Sequence, residues 1–177
     1  MSIESNYIIE LNEENSLGEG SYSHVYKVYR KSDGLICAAK IFRIPLELMD
    51  SIDKLGYNRE LKILKLADHP FVLKFIEEFP YKEKKLCIVT KFASGGDFER
   101  FMRKKIKFSE EEALEYFAMI LLGLDFLHSK NIFHWDLKPG NLFIEELSNG
   151  MKLLCIGDFG ISKYDLDTMK QTQTTLG

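Results

Sequence analysis

His134-Trp135-Asp136-Leu137-Lys138-Pro139-Gly140-Asn141, followed downstream by Asp158-Phe159-Gly160, is the stretch that decides how this chain reads. An Asp, a Lys and an Asn stand in order in one short segment that also carries Pro and Gly. Together they offer a carboxylate, a mobile point charge and a neutral oxygen donor. A carboxylate placed in this way suits an attacking hydroxyl, whose proton it accepts or orients without needing a large pKa shift. Lys138 supplies a cation on a long stem. Asn141 and Asp158 offer the hard oxygen atoms that magnesium prefers. Chance co-occurrence of all these groups in this order is remote.

Composition narrows the class further. The chain has 177 residues, enough for one well-buried domain or two small lobes. A net charge of −3 leaves no electrostatic footprint for nucleic acid or for an anionic membrane surface. Cys37, Cys87 and Cys155 are odd in number and widely spaced, each in an apolar run. They read as free buried thiols in a reducing compartment, so the cytoplasm or nucleus is expected. No basic flank followed by an apolar core opens the chain, so no signal peptide is expected. The most apolar segment, Phe117 to Leu124, stops at Asp125, short of the ~20 residues of a membrane span.

Along the first ninety or so residues the runs are strand-like. Val25 to Tyr29 alternates, and Ile36 to Phe42 follows a Lys31-Ser32-Asp33-Gly34 turn, as in a hairpin. Leu86 to Thr90 reads as another buried strand. Between them a helix is predicted from about Leu46 to Leu66, stopped by Asp68-His69-Pro70. After Ser94-Gly95-Gly96 the period becomes helical. Asp97 is a predicted N-cap, and Ser109 with Glu112 forms a capping box opening a helix to His128. Its expected apolar stripe is Ala113, Phe117, Ile120, Leu121, Leu124 and Leu127, with Met119, Leu122 and Phe126 beside it. A helix apolar nearly all round needs cover on several sides. Two short strands, Asn141 to Ile144 and Lys152 to Ile156, follow with a Ser148-Asn149-Gly150 turn between them.

Other constellations are weaker when taken singly. Gly18-Glu19-Gly20-Ser21-Tyr22-Ser23-His24-Val25 fits a glycine-rich phosphate loop with Ser23 in the third glycine place, and a plain hairpin turn reads as well. Ser23 there pays a left-handed penalty of roughly 1–2 kcal/mol only if that backbone region is used. Lys40 on a predicted buried strand and Glu60 on the predicted helix read alone as unrelated charges. As a pair downstream of the loop they fit a lysine held against phosphates.

Together these motifs resemble those of eukaryotic protein kinases, from Gly18 to the end of the chain. Leu137-Lys138-Pro139 is similar to the serine/threonine class. Gly157 to Lys163 and the Thr-rich stretch before Gly177 resemble the NIMA-related branch. The resemblance implies an α+β fold, with a small antiparallel β-sheet lobe carrying one helix (1–93) and an incomplete, mainly helical second lobe (94–177). It implies Asp136, Lys138, Lys40 and Glu60 as catalytic residues and Asn141 and Asp158 as magnesium ligands. ATP contacts are implied at Leu17, Gly18, Gly20, Ser21, Ser23, Val25, Ala38, Lys40, Thr90, Lys91, Phe92 and Ala93. Thr90 would be the gatekeeper and Lys91 to Ala93 the adenine hinge. Leu64, Phe75, His134 and Phe159 would stack as a spine. The implied activity is ATP- and Mg2+-dependent phosphorylation of serine or threonine in protein substrates.

Two departures qualify that reading. Trp135 stands where many family members carry Arg, and an indole cannot supply a cationic fork. Phosphorylation at Thr172, Thr174 or Thr175 is therefore not expected to order the loop through position 135. The sequence also stops before an Ala-Pro-Glu motif and the helices that follow it in the family. An exposed apolar face is expected, for a partner or further chain to cover. A nucleotide-binding pseudokinase and a non-catalytic interaction fragment are the competing readings.

Overall fold

The computed structural model describes residues 6–105 and 107–160, with the backbone of 163–164. The chain divides into two compact units, Met1–Lys54 with Phe75–Phe92 and Leu55–Lys74 with Ala93–Gly177.

An antiparallel sheet builds the first unit. Its strands are β1 (Tyr7–Ile8), β2 (Ser16–Glu19), β3 (Ser23–Arg30), β4 (Ile36–Pro45), β5 (Phe75–Tyr81) and β6 (Lys85–Lys91). Their order is β1-β3-β4-β6-β5, with β2 also on β3. Alternation decides the faces, because successive side chains point to opposite sides. Val28, Cys37, Ala39, Ile41, Cys87 and Val89 share one face and form a core with Tyr7, Phe79 and Tyr81. Register then fixes the other face. Val25 pairs with Lys40 and Lys40 with Ile88, Ala38 pairs with Thr90, and Ser23 pairs with Phe42. Five residues expected to contact nucleotide, Ser23, Val25, Ala38, Lys40 and Thr90, thus stand together opposite the core. At the predicted hairpin Arg30 grips Asp33 through Nε (3.0 Å) and Nη2 (2.6 Å), and Gly34 takes the positive φ of 72° that glycine allows.

The described helices are α1 (Ser51–Leu66), α2 (Phe98–Lys104) and α3 (Glu110–Ser129). Short strands complete the architecture: β7 (Gly96–Asp97), β8 (Ile132–Phe133), β9 (Leu142–Glu146), β10 (Lys152–Ile156) and β11 (Lys163–Tyr164). One sheet runs β10-β9-β7, and β11 pairs with β8. The start expected near Leu46 is a separate 3-10 turn, Leu46–Leu48, and Asp50 Oδ1 then caps α1 by accepting the Asp53 N–H at 2.7 Å. Asp97 and the Ser109–Glu112 box cap α2 and α3 as their spacing predicts.

Residues 55–74 do not follow a single cut at 93/94. At the end of that segment, Leu73 N–H donates to the Ile156 carbonyl (2.8 Å), and Ile156 N–H donates to that of Phe71 (2.9 Å).

The stripe expected on α3 is corrected in part. Gly123 and Leu127 are the buried positions, while Phe117 and Leu121 are exposed. A Cβ at Gly123 would lie 2.9 Å from both the Phe71 carbonyl and Ile156 Cδ1. The helix therefore lies on the Gly123 side, and Leu114, Phe117, Leu121 and Leu122 form an uncovered apolar strip.

Candidate active site

The segment from His134 to Asn141 joins β8 to β9, and a 3-10 turn at Pro139–Asn141 ends it. Proline opens that turn, where its missing N–H costs nothing. Asn141 N–H closes the turn on the Lys138 carbonyl at 2.9 Å.

His134 is buried beneath the loop. Its Nδ1 accepts the Asp136 N–H at 3.3 Å, so the proton sits on Nε2, which donates to the Gly157 carbonyl at 2.9 Å. Gly157 N–H in turn donates to the Asn141 carbonyl at 2.9 Å. The loop at 134–141 and the segment leading to Asp158 are thus joined by buried bonds. The His134 ring lies 5.2 Å from that of Phe159, which is fully buried, and Leu64 is buried on α1. A Cβ at Gly157 would meet the Phe143 ring at 2.9 Å, so only glycine allows this approach.

Asp136 is the hub. Lys138 Nζ donates to its Oδ2 at 2.8 Å, and Asn141 Nδ2 donates to the same oxygen at 2.9 Å. Asn141 Nδ2 also donates to the Asp136 main-chain carbonyl at 2.8 Å. Two acceptors facing one end of the amide identify that end as nitrogen, which leaves Asn141 Oδ1 outside these bonds. Asp136 Oδ1 is outside them too. The Lys138 ammonium, and after it the Asn141 amide, holds the Asp136 carboxyl below the ordinary carboxylate range. The same bond raises the Lys138 pKa, with the charges of Asp158 and Glu99 adding to it. Asp136 is therefore a fixed carboxylate at neutral pH.

Asp158 has φ of 58° and Trp135 φ of 62°, both left-handed. Asp tolerates this region through its short polar side chain, whereas an indole gains nothing from it. Trp135 is also 65% exposed, in line with its lack of a cationic fork. Strained backbone on both loops agrees with a functional constraint.

Donor chemistry tests the implied cation. Asn141 Oδ1 and the Asp158 carboxylate are hard oxygens of the kind magnesium takes. Among the described residues no group of three or more His, Cys, Asp or Glu could hold a metal by itself. An ion here fits a site completed by water and phosphate oxygens, which is how magnesium is usually bound.

The glycine-rich segment bridges β2 and β3. Leu17, Gly18 and Glu19 lie on β2, and Gly20 N–H closes the tip on the Ser23 carbonyl at 2.9 Å. Ser23 is buried on β3, and Ser23 does not adopt a positive φ, so the left-handed penalty is not incurred. Lys40 stands mid-β4, and Glu60 is buried on α1. Lys91 ends β6 and Phe92 follows it; the Ala93 carbonyl accepts from Gly96 N–H at 3.1 Å. Phe75 opens β5. Thr172, Thr174 and Thr175 lie outside the described residues. Sequence reading missed the Gly157 carbonyl, since a main-chain acceptor carries no residue-type signal.

The sheet thus bears the glycine-rich segment, and the loop over the buried His134 presents Asp136, Lys138 and Asn141. The protein kinase domain model matches residues 11–177, and the chain belongs to that family. It is 32% identical over 151 residues to serine/threonine-protein kinase ULK3 of Xenopus laevis, covering 84% of this chain and 31% of that protein. It is 34% identical over 164 residues to ribosomal protein S6 kinase alpha-1 of Rattus norvegicus, covering 91% and 21%. With human serine/threonine-protein kinase Nek5, a NIMA-related member, it shares 32% over 164 residues, covering 92% and 22%. The chain spans about a fifth to a third of the length of these relatives. Such even identities do not single out one branch.

Proposed function

We propose that this chain carries out ATP-dependent phosphoryl transfer to serine or threonine hydroxyls of protein substrates. The observation that carries the reading is the Asp136 carboxylate, tied through Oδ2 by Lys138 and Asn141 with Oδ1 outside those bonds. A substrate hydroxyl would donate to Oδ1. Its oxygen forms a bond to the γ-phosphorus as the bond to the β–γ bridging oxygen breaks. ADP leaves with that electron pair, and the hydroxyl proton passes to Asp136. Transfer of this kind is mainly positioning and charge neutralisation, so a low-pKa carboxylate suffices. Lys138 would offset charge on the transferred group.

Asn141 and Asp158 would hold magnesium, which when bound neutralises phosphate charge. The loop of Gly18, Gly20, Ser21 and Ser23 would meet phosphate, with the Gly20 N–H closing the tip on the Ser23 carbonyl and Leu17, Val25 and Ala38 beside the nucleotide. Lys40 would also meet phosphate. Thr90, Lys91, Phe92 and Ala93 would meet the base. Three buried cysteines, Cys37, Cys87 and Cys155, support a reducing compartment, cytoplasm or nucleus.

The uncovered strip on α3 supports a second reading, a fragment whose apolar face a partner or further chain covers. No helix among the described residues is long and apolar enough to cross a membrane. The test is transfer of labelled phosphate from ATP to a generic protein substrate, against Asp136→Asn and Lys40→Met. Wild-type turnover in both variants would sink the kinase reading.

A further inference from the structure

Arg43, on the strand that carries Lys40, is absorbed by no motif, yet it reaches the tip of the glycine-rich segment. Its Nη2 donates to the Glu19 carboxylate and, at 3.2 Å, to the Gly20 carbonyl. Its own backbone N–H donates to the Tyr22 carbonyl at 3.0 Å. Within the tip, the Gly20 N–H closes on the Ser23 carbonyl, and β2–β3 pairing flanks it. Three bonds from one residue therefore tie positions 19, 20 and 22 to β4. Opposite Glu19 in register, His24 bonds Ser16 Oγ at 2.8 Å and stacks on Tyr26, which steadies the base of the same hairpin.

We propose that Arg43 is a positioning residue for the phosphate loop, holding its tip in one place against β4 before nucleotide arrives. The assignment rests on the phosphotransfer reading given above. Physically, a loop already ordered by the sheet does not lose that freedom on binding, and the saving appears as affinity. Glu19 supports the geometry, since the Arg43 hydrogen bond, and behind it Arg43 and His24 charge, holds its carboxyl below the usual range. Arg43 and Glu19 are both partly exposed, so the effect is moderate.

The test is steady-state kinetics and direct binding of MgATP by the intact protein, with amide exchange read at residues 18–24. Arg43→Met is expected to raise KM and Kd for ATP by about three- to tenfold while kcat at saturating ATP stays within about twofold. Exchange at Gly20 and Ser23 should quicken. Glu19→Gln, which keeps the bonds to Gly20 and Tyr22, should do less, and Arg43→Lys should restore part of the affinity. A merely structural arginine would lower kcat and thermal stability instead. Equal ATP affinity in wild type and Arg43→Met, or unchanged exchange at the tip, would overturn the assignment and leave the phosphotransfer reading standing. Failure of wild type to bind MgATP would take down both.

Discussion

The loop from His134 to Asn141 and the loop from Leu17 to Val25 are held by opposite means. Buried groups hold the first: His134 links the Asp136 N–H to the Gly157 carbonyl, and Asn141 spans Asp136. The second is held by strand pairing and by exposed charge, the Arg43–Glu19 pair. A buried polar group left without a partner costs about 1–3 kcal/mol, whereas an exposed ion pair contributes about 0–1 kcal/mol. One loop should therefore tolerate little change in side chain, while the other depends more on backbone than on residue type. Under the proposed function, that suits a carboxylate that would stay fixed and a loop that would admit a ligand.

The comparison can be broken at several points. Asp136→Asn should lower transfer by about 10²–10⁴-fold, far beyond what any small fall in the unfolding midpoint accounts for, measured by initial rates and urea titration. A loss below tenfold would remove Asp136 from the chemistry. Lys138→Met should cost about a hundredfold in kcat, since it deletes one charge aimed at the transferred group. It also has a pH signature. Asp136 is depressed in the fold, so its contribution to stability is present above its unfolded pKa near about 3.9 and is lost as pH falls through the lower folded value. Lys138 is raised, so its contribution is present below about 10.4 and is lost as pH rises through the higher folded value. The stability gap between wild type and Lys138→Met should thus be flat between about pH 5 and 10 and close on either side. A gap that varied across neutral pH would contradict the pairing.

His134→Leu keeps bulk but leaves the Gly157 carbonyl without its donor. A loss of about 1–3 kcal/mol is expected, seen as a lower urea midpoint at unchanged slope. Ser23→Gly should have the smallest effect. Because Ser23 does not use positive φ, glycine offers no relief and only adds chain entropy, for about 0.5–1 kcal/mol of destabilisation. Tighter ATP binding by that variant would show that the hydroxymethyl group obstructs the loop.

The first loop was legible because its residue types are the chemistry. A carboxylate, an ammonium and an amide at those offsets have few other uses, whereas the pairing of Asp136 Oδ2 with both Lys138 and Asn141 came only from the structure. The capping of α2 and α3 was legible for a similar local reason. What stayed hidden was non-local or main-chain in origin. β5 escaped because Glu77, Glu78 and Pro80 break its alternation, yet as the outermost strand beside β6 it accommodates them. On α3 apolar residues occur nearly all round, so periodicity could not choose a face. The choice fell to Gly123, whose missing side chain admits Phe71 and Ile156. The tie of Phe71 and Leu73 to Ile156 is made by backbone bonds, which no side-chain pattern announces.

Gly157 gives its N–H to Asn141 and its carbonyl to His134, so both peptide groups that flank it are committed. The plane immediately ahead of Asp158 cannot turn over without parting a bond inside the protein. The first torsion beyond that plane is the φ of Asp158, already left-handed at 58°. The chain behaves there like a latch with a preloaded spring beyond it: whatever reorients the Asp158 carboxylate must either work downstream of the catch or first lift His134 off it.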